Sequence, residues 1–150
     1  RGKVDFIVSL AGSSLKLKEV LDWQLRRKLK ILGRNECEIE KELPLLKKNF
    51  VKDDGIRRYM DYDPASAVRD TLCPVFVLNG EKDTQVEYKK HLDVFRKNIP
   101  DLTKAKIKSY PGLNHMFQHC VTGEANEYAE IEHTISLEVL SDIVAFIKKL

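Results

Sequence analysis

Two stretches of the chain carry residues whose types and spacing could do chemistry together. Pro74-Val-Phe-Val-Leu-Asn-Gly-Glu-Lys-Asp83 reads as a buried strand that breaks at Asn79-Gly80 and delivers a carboxylate, Asp83, just past its end. Tyr110-Pro-Gly-Leu-Asn-His-Met-Phe117 reads as a loop after another strand and delivers an imidazole, His115, 32 residues further on. A carboxylate that fixes an imidazole in one tautomer makes the ring a general base, and the pair is half of a Ser-His-Asp site. The other half is a hydroxyl nucleophile.

Ser13 and Ser14 are the nearest candidates. Gly12-Ser13-Ser14-Leu15-Lys16 sits at a strand-to-helix turn, where a nucleophilic serine can be presented. Lys16, however, stands where a second glycine should let helix and strand pack closely. Ser13 and Ser14 are therefore read as turn and helix-cap residues. His91, His119 and His133 have no motif around them and are read as non-catalytic. Met116 and Phe117 could wall an acyl pocket or belong to the core. Asp53, Asp54, Asp61 and Asp63 show no recurring ligand spacing and read as caps and turns. Cys37, Cys73 and Cys120 have neither CxxC nor metal spacing, so they read as reduced thiols. No cofactor or metal motif is present.

The chain of 150 residues suits one core. Its 43% apolar and 33% charged residues match a globular protein and exclude a disordered one. A net charge of +3, with basic and acidic residues interleaved, argues against nucleic-acid binding. No apolar run is long enough to span a membrane. The opening Arg1-Gly2-Lys3 lacks a methionine and leads directly into an apolar run, which reads as the interior of a longer protein.

The positioning elements follow from periodicity. Residues 4–10 are apolar and β-branched, a buried strand ended by Ala11-Gly12. Leu17, Leu21, Leu25, Leu29 and Leu32 form one stripe of an amphipathic helix, which Gly33 ends. Asn35 with Glu38 predicts a capped second helix with the stripe Ile39, Leu43, Leu46 and Phe50, kinked or restarted at Pro44. A turn at Asp53-Asp54-Gly55 and short helices over 56–60 and 65–72 follow. Residues 74–79 form the second strand, 87–98 a helix and 105–109 a third strand. Residues 122–132 are polar and aperiodic, and Ser136 caps a last helix with the stripe Leu140, Ile143 or Val144, Ile147 and Leu150. Strands joined by crossover helices pair in parallel. The fold class is therefore α/β, a three-stranded parallel sheet with flanking helices. Residues 1–15 and 65–150 form the core, and residues 16–64 form a helical insertion too long for a simple crossover.

Residues 4–12 and 62–149 resemble the C-terminal half of an α/β-hydrolase of the esterase-like branch with a helical cap. The matching residues are Ala11-Gly12, Asp63-Pro64, Cys73 through Asp83, and Pro111-Gly-Leu-Asn-His115. The resemblance implies that Asp83 is the triad acid, His115 the triad histidine, and residues 16–64 the cap. It implies a small-molecule acyl ester as substrate and the chain order nucleophile, acid, histidine. The sequence departs from the family in having no Gly-x-Ser-x-Gly and no Gly-rich oxyanion segment. Both lie upstream in the family, so the chain is expected to be a C-terminal segment, inactive alone. A non-catalytic binding protein on the same fold is the alternative. Strand 4–10 would be left with an unpaired edge, so a homodimer through it or through the helical insertion is expected.

Overall fold

The computed structural model describes residues 4–50 and 54–150, so the turn expected at Asp53 lies partly outside the described residues. The chain forms two compact units. One comprises the residues up to Ser14 together with Ala65–Leu150, and the other is Leu15–Pro64.

The first unit is α/β. Its sheet holds β1 (Ile7–Leu10), β2 (Val75–Gly80) and β3 (Ala105–Tyr110) in the order β1-β2-β3, both pairs parallel. Ile7 lies opposite Val75, and Val75 opposite Ala105. β1 starts later than its apolar run because Pro74, below Val75, has no N–H to extend the ladder. Pro74 offers only its carbonyl, which accepts from Ile7 N–H at 2.9 Å. The outer edge of β1 pairs with no strand among the described residues. All six residues of β2 are buried. Their alternation divides the core. Val75 and Val77 pack with Leu92, Phe95 and Ile99, contributed by or adjoining the helix Tyr88–Asn98. Phe76 and Leu78 pack with Tyr110, Leu113, Phe117, Val139 and Phe146, the last two from the helix Leu137–Ile147. The strand is thus covered on both faces, as its continuous apolar run requires.

The second unit packs α1 (Leu17–Ile31) against α2 (Glu36–Phe50) around Leu21, Leu25 and Leu43. Its short helix α3 is Asp54–Tyr59, and α4 (Pro64–Arg69) follows. Helices Tyr88–Asn98 and Leu137–Ile147 are then α5 and α6. Gly33 has φ +79°, and the bonds from Gly33 N–H to Lys30 O and from Arg34 N–H to Leu29 O close α1 in a Schellman motif. Asn35 and Glu38 exchange side-chain-to-backbone bonds of 2.8 and 3.0 Å at the start of α2. α2 does not restart at Pro44 but runs through it from Glu36 to Phe50. The bond that proline removes belongs to the carbonyl of Glu40, and both residues are exposed, so water can satisfy it. No helix among the described residues is long and apolar enough to cross a membrane.

The face of α6 also differs from expectation. Leu140, Val144, Ile147 and Leu150 are exposed, while Val139 and Phe146 are buried and Ile143 packs beside them. The helix is apolar on nearly every side, so periodicity leaves its face open. A polar tie selects it. Asp142, on the stripe of Val139 and Phe146, accepts from Lys106 Nζ at 2.7 Å, Lys108 Nζ at 2.6 Å and Tyr110 Oη at 2.8 Å. Ser136, at the N-cap position, makes no capping bond with its side chain.

Burial pushes the Asp142 carboxyl up, but the bonds from Lys106, Lys108 and Tyr110 outweigh it and hold the group well below its ordinary 3.8. A depressed folded value means stabilisation that is full above the unfolded value and lost as pH falls through the folded one. Asp142→Asn should cost about 1 kcal/mol near pH 7, the low end for charged hydrogen bonds because both lysines are partly solvated. The gap to wild type should shrink as pH falls below about 4. Urea unfolding of both proteins over a pH series checks this, and a gap that stays constant with pH would contradict it.

Candidate active site

Because β2 and β3 run in parallel, both chains leave the sheet at the same end, and Gly80 lies opposite Tyr110. The loops that follow are tied backbone to backbone. Glu81 N–H donates to Tyr110 O at 3.0 Å and Lys82 N–H to Leu113 O at 2.9 Å. Gly80 permits this approach, since a Cβ there would collide with the carbonyl oxygens of Leu113 and Asn114. The expected break at Asn79-Gly80 is not observed. Both residues complete the buried strand, and the turn begins at Glu81.

Asp83 and His115 meet above this junction. His115 Nδ1 lies 2.9 Å from Asp83 Oδ2. The Asp83 side chain is fully enclosed, whereas that of His115 is 26% exposed. Asp83 Oδ1 accepts from the backbone N–H groups of Gln85 at 2.7 Å and Val86 at 2.8 Å. Oδ2 also accepts from Asn79 Nδ2 at 3.2 Å. An ionised carboxylate offers about four acceptor positions, and here all are used. Such a carboxylate can only accept, so the proton between the two groups sits on Nδ1, and in the neutral ring Nε2 is the nitrogen that carries the free lone pair.

The His115 loop is organised by Asn114, which is fully buried. Its Oδ1 accepts from Met116 N–H at 2.9 Å and Gln118 N–H at 3.0 Å. Phe117 is turned to φ +58°, uncommon for a residue with a side chain. Its ring sits edge-on to Tyr110 with centroids 6.2 Å apart, so it belongs to the core, whereas Met116 is exposed. The aperiodic segment after the loop straps the acid turn from outside. Lys82 Nζ donates to the carbonyls of Cys120 and Val121, Thr84 Oγ1 to Gly123 O at 3.0 Å, and Gln85 Nε2 to Tyr128 Oη at 3.2 Å. Burial raises the Tyr128 phenol; among the smaller effects, the Gln85 bond lowers it and the negative charge of Asp83 raises it.

Ser14 is placed elsewhere. It is buried, its N–H donates to His91 Nδ1 at 3.0 Å, and its hydroxyl donates to His91 O at 2.9 Å. No hydrogen bond among the described residues joins it to His115. His91 is thereby a buried structural histidine, and His119 and His133 are exposed. Among the described residues no group of three His, Cys, Asp or Glu side chains is placed to hold a metal ion. Asn79, Asn114 and the strap were not anticipated. For Asn79 the available signal was an amide inside an apolar run.

No family model matches the chain, and no curated protein matches it.

Gly80→Ala should drive the two loops apart, costing about 1–3 kcal/mol as an overpacked site does. The amide of Lys82, bonded across the junction, should then exchange with solvent at least tenfold faster. Hydrogen exchange read residue by residue checks this. Unchanged Lys82 protection in a folded variant would contradict the close-packing argument.

Proposed function

We propose that the chain supplies the acid and the histidine of a serine hydrolase site of the α/β-hydrolase kind, acting on small-molecule acyl esters. The observation that carries this reading is the bond from His115 to a saturated, enclosed carboxylate at the ends of adjacent parallel strands. Two further features support it. The acid precedes the histidine in the chain, and an independent helical unit is inserted between β1 and β2, where the family carries its cap.

In this mechanism His115 Nε2 takes the proton of a serine hydroxyl as that oxygen attacks the ester carbonyl. It returns the proton to the leaving alcohol, then activates water to release the acid. Asp83 keeps the ring in the required tautomer and stabilises the imidazolium. Ser14 is committed to His91, which supports a reading in which the nucleophile and the oxyanion donors are supplied from outside this chain.

The 150-residue chain should form no adduct with a serine-directed phosphonylating probe, read by intact mass. In a protein that also bears the serine, Asp83→Asn should lower ester turnover by about 10⁴-fold and His115→Ala by about 10⁶-fold. A stoichiometric adduct on Ser14, or turnover indifferent to His115, would overturn the proposal.

A further inference from the structure

β2 is an apolar strand covered on both faces, and Asn79 interrupts it. Alternation puts Asn79 on the face of Val75 and Val77, toward α5. Its residue is 1% exposed, and a buried amide is tolerated only when its polar atoms are satisfied. Its Nδ2 group points at three acceptors: Gly80 O at 3.2 Å, Asp83 Oδ2 at 3.2 Å and Val86 O at 3.3 Å. A valine would fill the strand position without any polar cost, so packing alone does not account for the amide.

We infer that Asn79 is a positioning residue of the Asp83–His115 pair, acting through the carboxylate. This rests on the acid–base reading of the pair given above. Asn79 donates to Oδ2, the same oxygen that receives His115 Nδ1. The backbone of Gln85 and Val86 fixes Oδ1, so Asn79 supplies the remaining contact that sets the plane of the carboxylate. A hydrogen bond to a carboxylate stabilises its charged form and lowers its basicity. Asn79 therefore also moderates how strongly Oδ2 draws the imidazole proton. Its bonds to Gly80 O and Val86 O join the strand end to a residue two positions before α5, spanning the turn that carries the acid.

The test is a pH titration of the His115 ring followed by NMR, in wild type, Asn79→Leu, Asn79→Ser and Asp83→Asn. Freed of its second donor, Oδ2 regains basicity. The midpoint of His115 should then rise in both Asn79 variants by about half a pH unit or more. A purely structural role predicts no change, or a fall as the pair comes apart, and either result in a folded variant overturns the inference. Wild type gives a readout independent of any substitution. The side-chain amide signal of Asn79 should move in step with the His115 titration, and a stationary signal overturns the inference. Asp83→Asn tests the underlying reading separately. It should lower the midpoint, and if it does not, the acid–base assignment fails whatever the Asn79 variants do.

Discussion

The backbone of β2 and the His115 loop touch at Gly80, where no side chain fits beneath the carbonyls of Leu113 and Asn114. The positions of Asp83 and His115 follow from that contact. It lets Lys82 N–H reach Leu113 O, and this bond brings the two loops into one layer. Within the layer the Asp83 carboxylate finds two backbone donors, an amide and an imidazole. A carboxylate enclosed in this way would be costly without donors. With four, it is held in one orientation and can hold its neighbour.

The rest of the first unit keeps this junction rigid. α5 and α6 cover opposite faces of the strand that delivers Asp83. The Asp142 ties hold α6 to β3, the strand that delivers His115. Outside the sheet, the strap around Gly123 and Tyr128 closes over the acid turn. It leaves His115 the more exposed member of the pair.

Much of this was legible in the sequence, for identifiable reasons. An apolar run followed by a glycine marks a strand end, so Asp83 and His115 could be placed on neighbouring ends from residue types alone. Asn79-Gly80 read as a break because that dipeptide punctuates turns, yet burial and three acceptors keep Asn79 in the strand. The face of α6 was illegible because the helix is apolar almost all round, and Asp142, 36 and 34 residues from Lys106 and Lys108 of β3, decides it through space. The strap was illegible because its bonds join aperiodic residues to backbone carbonyls, which no spacing encodes.

The central claim is that Asp83 fixes His115 as a base with Nε2 bare. The tautomer of the neutral ring tests it most directly, read from long-range ¹H–¹⁵N correlations of His115. The account predicts a protonated Nδ1 and an unprotonated Nε2. A ring protonated at Nε2, or one averaging freely between the two forms, would contradict it.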